Sequence, residues 1–267
     1  MTGVLEPIYV AARKALLDAL EALAPHREAI ILVGAQAVYL HAGEADLAVA
    51  PYTTDGDLAL DPRALGPDPQ IKEAMEMAGF NLKSPPGLWR SQSGIQIDLL
   101  VPDAVGGGGN RGARLGAHGN LVARKARGLE AALVDKSEHG ITALDPADSR
   151  AHRLAVAGPA ALLVAKLHKI AERINDPKRL KPKDALDVLR LLRAVPVAKL
   201  AASLTELAGH EVSQVVTTEA LGQLRTLFGE ASGVGSQLAA RAVEGLDDPV
   251  TIAASCALLS EELLALC

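Results

Sequence analysis

Apolar positions over the first 150 or so residues fall into short blocks that alternate between helical and strand-like spacing. Residues 4 to 24 carry them at helical period, and Ala29-Ile30-Ile31-Leu32-Val33 is apolar throughout, as a buried strand is. The pattern then predicts a helix from Ala35 to about His41, a strand over Asp57 to Leu60, a helix at about 69 to 79 and a strand over Ile95 to Val101. Strand-like stretches at Ile141 to Leu144 and Arg153 to Val156 complete this part. From Pro159 onward nearly everything has helical period, interrupted at Asn175-Asp176-Pro177, Lys181-Pro182, Val195-Pro196, Gly229 and Asp247-Asp248-Pro249. The expectation is an α+β (α/β) module with a small mixed sheet over residues 1–157, followed by a C-terminal helical bundle over 158–267. The glycine run Gly106 to Gly109 is expected to be a mobile loop.

Composition narrows the class. With 267 residues, 49% of them hydrophobic and 22% charged, the chain can bury a substantial core in one or two domains. Aromatics are only 2%, so that core must be built from Ala, Leu, Val and Ile. No charge-free stretch approaches the roughly 20 apolar residues of a membrane span. The start Met1-Thr2-Gly3-Val4-Leu5-Glu6 lacks a basic-then-apolar leader layout, so a cytoplasmic protein without membrane contact is expected. Cys256 and Cys267 have no metal-ligand spacing and read as inert thiols.

Chemistry enters with the carboxylates. Asp55 and Asp57 lie two apart on an extended segment and so share one face. Asp98 interrupts an otherwise apolar strand, where a carboxylate needs a cation, a hydrogen-bond donor or a proton. Three converging carboxylates call for a hard cation such as Mg2+, carrying a nucleoside triphosphate (NTP). The alternative for Asp98 is a satisfied structural acid. Gly34 ends an apolar strand and opens a helix, where a residue without a side chain lets phosphate oxygens approach backbone N–H groups.

The net charge of -5 argues against a general nucleic-acid binder, but its distribution does not. Arg111, Arg114, Arg124, Lys125 and Arg127 cluster between Asn110 and Leu129 without an acid, and seven more cations lie from Lys166 to Lys183. Both regions are either solvated surface or the positive charge that a triphosphate and a phosphodiester acceptor require. Lys166, Lys169 and Arg173 share a helix face, and Asp184 and Asp187 follow on the next helix, so Lys166 and Asp184 are expected to pair between two packed helices. Plain surface decoration is the alternative. His41, Tyr52, Trp89 and His118 are further candidates for touching a base or ribose, with core or loop roles as the competing expectation.

The blocks Leu32-Val33-Gly34-Ala35, Thr54-Asp55-Gly56-Asp57-Leu58 and Ile97-Asp98-Leu99 resemble the nucleotidyltransferase fold shared with DNA polymerase β. Gly158 to Leu167, Arg173, and Lys183-Asp184-Ala185-Leu186-Asp187-Val188-Leu189 are similar to AbiEii-type toxins of type IV toxin–antitoxin and abortive-infection systems. The resemblance covers roughly residues 28 to 193. It implies transfer of a nucleoside monophosphate from an NTP to an acceptor, in that family often the 3' end of a tRNA, and a cognate antitoxin protein as partner. It matches Asp55 and Asp57 to the metal-binding carboxylates, Asp98 to the third acid, Lys166 to the motif lysine and Asp184 to the late acid. The family's turn usually reads Gly-Ser or Gly-Gly. Ala35 here removes a hydroxyl that would bond a phosphate.

These elements combine into an expected mechanism with two Mg2+ ions on Asp55, Asp57 and Asp98, and with Asp98 also as general base. Lys166, Lys169 and Arg173 would stabilise phosphate charge. Asp184 would position Lys166 or contact the nucleotide. Gly34, Ala35, Thr54, Lys169, Arg173 and Asp187 make up the expected nucleotide-binding set. Two other functions fit the same motifs, a small-molecule nucleotidyltransferase and a catalytically silent module that binds a nucleotide or a protein.

Overall fold

The computed structural model describes residues 7–43, 47, 53–109 and 111–267. Among these the strands are β1 (Ile30–Val33), β2 (Asp55–Leu60), β3 (Asn81–Lys83), β4 (Leu88–Arg90), β5 (Gln96–Pro102), β6 (Arg124–Ala126), β7 (Lys136–Thr142) and β8 (Ala151–Ala157). They form one sheet in the order β3-β4-β5-β2-β1-β8-β7, with β6 alongside β5. The pairs β2–β5, β1–β8 and β5–β6 are parallel and the others antiparallel, so the sheet is mixed as the sequence leads one to expect. Helix α1 (Pro7–Ala22) opens on a proline, whose fixed φ suits the first helical position. Helix α2 (Gly34–Ala42) follows β1 directly, and α3 (Ile71–Met77) is a short helix before β3. Residues 4–6 of the predicted first helix lie outside the described residues.

The chain divides into two compact units. One comprises Met1–Gln36, Tyr52–Ala126 and Lys136–Ala157, and the other Ala37–Pro51, Arg127–Asp135 and Gly158–Cys267. In the first, β1 is buried along its whole length and Leu16, Leu17 and Ile97 are fully enclosed. A Cβ added at Gly56 would stand 2.8 Å from Ile97 Cδ1 and 3.5 Å from Leu16 Cδ1, so α1 covers this face of β2. Strand alternation therefore turns Asp55 and Asp57 to the opposite face.

Where sequence pattern and strands differ, polarity is the reason. The strand expected at Ile141 to Leu144 runs instead from Lys136 to Thr142 and is mostly exposed at the sheet edge, where Lys136-Ser137-Glu138 need no apolar partners. β3, β4 and β6 have three residues each, too short for an alternation signal. The glycine run is tied down at two points. Gly106 O accepts from Arg114 N at 2.9 Å and Gly107 O from Lys125 Nζ at 3.3 Å.

The second unit is helical: α4 (Pro159–Arg173), α5 (Pro182–Ala194), α6 (Val197–Gly209), α7 (Gln214–Phe228), α8 (Val234–Ala242) and α9 (Pro249–Leu264), together with the later part of α2. α4, α5 and α9 each begin with proline, and the Asp248 side chain caps α9 by accepting from Val250 N at 3.2 Å and Thr251 N at 3.1 Å. The predicted breaks fall at helix junctions. The α6–α7 junction follows Gly209, the last residue of α6, and carries the buried Ser213, donating to Leu207 O at 2.7 Å. Among the described residues no helix is long and apolar enough to cross a membrane.

Candidate active site

In the first unit the acids assemble through register. β2 and β5 run parallel with Asp55 opposite Gln96 and Asp57 opposite Asp98, and β1 places Val33 opposite Asp57 on the other side. Residues paired across strands share a face, so Asp55, Asp57 and Asp98 stand together on the face away from α1. Asp55 and Asp57 are half-buried, and Asp98 is 5% exposed. Asp55 is held by Thr53, whose hydroxyl donates to its Oδ1. Its backbone carbonyl accepts from the buried Gln36 Nε2 at 3.0 Å, and Gln36 Oε1 accepts in turn from Arg13 Nε at 2.8 Å.

Gly34 contributes to this corner through what it lacks. Its φ is +70°, and a Cβ there would lie 2.7 Å from Asp57 Cγ. The absence of a side chain thus makes room for the Asp57 carboxylate at the start of α2, where the helix dipole favours negative charge. Ala35 is buried beside it and Thr54 is exposed. The Gly34→Ala variant is expected to lose about 1–3 kcal/mol from backbone strain alone and to push Asp57 aside. Urea unfolding measures the loss, and an unchanged midpoint would contradict this packing.

Asp98 has its own partners. Arg124 on β6 forks onto it, Nη1 to Oδ1 at 2.9 Å and Nη2 to Oδ2 at 2.8 Å, and Gln96 Nε2 lies 3.1 Å from each oxygen. A buried carboxylate thus obtains both a cation and a hydrogen-bond donor. Arg124 belongs to the predicted basic run but not to the predicted site. The signal that points to the run, without selecting Arg124 within it, is Asp98 itself, since an acid inside an apolar strand demands a partner and the run at 111 to 127 has cations without local acids.

Other members of that run are also engaged. Lys125 pairs with Asp103 at 3.1 Å, and in the second unit Arg127 pairs with Glu219 at 2.6 Å. Three of the five cations therefore meet a carboxylate within their own unit, which leaves less positive charge open to a polyanion than the sequence suggests.

The second unit holds the other predicted group. Lys166 Nζ donates to Asp184 Oδ1 at 2.9 Å and to Asp187 Oδ2 at 2.6 Å, with its side chain 5% exposed. Lys169 Nζ shares Asp184 Oδ1 at 2.9 Å, and Arg173 approaches Asp184 Oδ2 at 3.7 Å. Burial by itself would lower the Lys166 pKa, but Asp184 and Asp187 overcome it and raise the ammonium well above its ordinary value. Burial likewise pushes the Asp184 carboxyl up, and Lys166 and Lys169 pull it below the usual range. The expected Lys166–Asp184 pairing is present, but as a closed cluster: the Lys166 ammonium faces its two carboxylates rather than solvent, while Lys169 and Arg173 are partly exposed.

Because the folded-state pKa of Asp184 is depressed, its contribution to stability is complete above the unfolded-state value of about 4 and fades as pH falls below it. The stability advantage of the native chain over Asp184→Asn is expected to shrink from pH 5 to pH 3, measured by thermal melts. An advantage that grows over that range would contradict the pairing.

The ring candidates have structural surroundings. Trp89 is fully buried, its Nε1 donating to Val122 O at 2.9 Å. His118 is buried between Ile71 N at 3.1 Å and Gly66 O at 2.7 Å. His41 lies in the last turn of α2, and Tyr52 is outside the described residues. Sequence reasoning passed over Tyr39, whose ring lies 5.5 Å from the Arg190 guanidinium and 5.8 Å from Lys183 Nζ.

The donor chemistry at Asp55 and Asp57 suits a hard cation, while Asp98 already holds a guanidinium. Among the described residues no group of three or more His, Cys, Asp or Glu side chains is arranged to hold a metal ion.

A nucleotidyltransferase family model matches residues 12–208, a span that contains the three acids of the sheet, Arg124 and the Lys166 cluster. Comparison with curated proteins and with solved structures finds no match to this chain. With Asp55, Asp57 and Asp98 side by side on one face of a mixed sheet, and the greater part of its 267 residues under that model, the chain belongs to the nucleotidyltransferase family.

Proposed function

We propose that this protein is a divalent-metal-dependent nucleotidyltransferase that moves a nucleoside monophosphate from an NTP to the 3' end of an RNA, tRNA in particular. It would act in the cytoplasm as the AbiEii-type toxin of a toxin–antitoxin or abortive-infection pair, restrained by a cognate antitoxin protein. The observation that supports the chemistry most is the register that sets Asp57 opposite Asp98 with Asp55 on the same face. In this proposal residues 1–157 form the nucleotidyltransferase domain and 158–267 the helical one.

Asp55 and Asp57 would hold Mg2+, two ions in this proposal with Asp98 on one of them. Bound Mg2+ neutralises phosphate charge and lowers the pKa of an attacking hydroxyl. The chain's own contribution begins with placement: the Thr53 hydroxyl and Gln36 fix Asp55, and the space at Gly34 fixes Asp57. Asp98, through a carboxylate oxygen, accepts the proton of the acceptor hydroxyl. Backbone groups at Gly34 and Ala35, with Thr54, contact the nucleotide. Lys169 and Arg173, more exposed than Lys166, are the cations of the helical unit proposed for phosphate charge, with Asp184 holding both of them and Asp187 holding Lys166.

The pairing of Lys125 and Arg127 with acids favours one other acceptor class, a small molecule that needs no extended basic surface. Incubating the protein with each α-labelled NTP and Mg2+, in parallel with total tRNA and with small cationic acceptors, separates the two. Label in tRNA supports the RNA acceptor. Label only in small molecules replaces it, and label in neither defeats both.

A further inference from the structure

Asp98 presents an unusual balance for a carboxylate expected to bind metal. It is buried in the middle strands of the sheet, yet its negative charge is already matched by the Arg124 fork at 2.8 and 2.9 Å, with Gln96 on both oxygens. Arg124 itself is not buried away, since its side chain is 23% exposed. It stands on β6, a three-residue strand paired to β5 only over Leu100 to Pro102, beside the loop that Arg114 and Lys125 tie down. A guanidinium and a divalent cation place opposing demands on the same two oxygens. Each alone satisfies a buried carboxylate, and both together would crowd like charges.

We infer that Arg124 is an internal counter-cation that competes with the divalent metal for Asp98, making it a positioning residue that sets how readily the third acid joins the metal site. With Arg124 engaged, the metal meets Asp55 and Asp57 alone. For a divalent metal to take Asp98, the Arg124 fork would have to open. This rests on the metal-dependent function proposed above.

The test uses the full chain with Mn2+ as the probe, read by electron paramagnetic resonance as free ion lost on titration. The Arg124→Gln variant is expected to bind Mn2+ roughly tenfold more tightly than the native chain, a coupling of ordinary size. The gain must vanish when Asp98→Asn is added, because the competition acts through that carboxylate. Arg124→Lys keeps a cation without the fork and is expected to fall between the two, which covers the case in which Arg124→Gln does not fold. Thermal melts give a second readout: Mn2+ should raise the melting temperature of Arg124→Gln more than that of the native chain. Equal or weaker Mn2+ binding by both single variants at Arg124, or a gain that survives Asp98→Asn, overturns the inference while leaving the proposed function standing if the native chain binds Mn2+ and transfers nucleotide. A native chain that neither binds Mn2+ nor transfers nucleotide overturns both.

Discussion

Replacing Lys166 with Met is expected to destabilise the protein by about 3–5 kcal/mol, the usual consequence of removing one partner from a buried ion pair. The ammonium is enclosed by Asp184 and Asp187, which are themselves 8% and 1% exposed, so its loss takes the nearest cation from both buried acids and leaves Asp184 to Lys169 and Arg173, and Asp187 to Arg190 at 4.0 Å. Lys169→Met removes a more exposed partner of the same Asp184 and is expected to cost under about 1 kcal/mol. A triple change of Lys166, Asp184 and Asp187 to apolar residues of similar size should recover only part of the loss, because Lys169, Arg173 and the buried Arg190 then lose these acids. Urea unfolding of the three variants checks this order. A Lys166→Met protein as stable as Lys169→Met would mean that the cluster is not closed.

The largest expected effect on activity is at Asp57. Asp57→Asn preserves the shape that fills the space beside Gly34, so the fold and melting temperature should be retained while one carboxylate charge of the proposed metal site is lost. Transfer is expected to drop by about 10²–10³-fold or more, the scale seen when one pre-organised electrostatic contact at a reacting centre is removed. Asp57→Ala is a poorer probe, because it opens a cavity against the left-handed turn at Gly34 and mixes stability with chemistry. Steady-state rates on protein verified as folded make the measurement. An Asp57→Asn variant with native rates would contradict the proposed role of Asp57.

Much of this molecule was legible from residue order because the relevant signals were local. Ile30 to Val33 and Ile97 to Val101 are apolar runs, and runs of that kind become buried strands wherever a helix covers them. Prolines at 159, 182 and 249 begin helices because a residue without an N–H loses nothing in the first turn. The Lys166–Asp184 contact followed from two helical faces. Its closure did not, because whether an ammonium faces solvent depends on Asp187 and on the depth of packing, neither of which periodicity reports. The Arg124 fork was hidden for a similar reason. It joins positions 26 apart through a strand of only three residues, and nothing in the spacing of charges distinguishes Arg124 from Arg111 or Arg114. At Gly34 residue order points to a strand-to-helix turn, while the Asp57 carboxylate that fills the space there comes from the neighbouring strand and leaves no local signal. What sequence order conveys least is which charges neutralise one another across the fold, and that pairing decides how much of the basic surface is open to a polyanion.

The central claim is transfer of a nucleotidyl group at the face shared by Asp55, Asp57 and Asp98. Its most direct test follows an NTP labelled at the α-phosphate beside the same NTP labelled at the γ-phosphate, with Mg2+ and total tRNA. The α-label should enter the acceptor in step with pyrophosphate release, the γ-label should never do so, and both α-label transfer and pyrophosphate release should fall in Asp57→Asn. Free phosphate without α-label in any acceptor, or transfer that continues unchanged in Asp57→Asn, would contradict it.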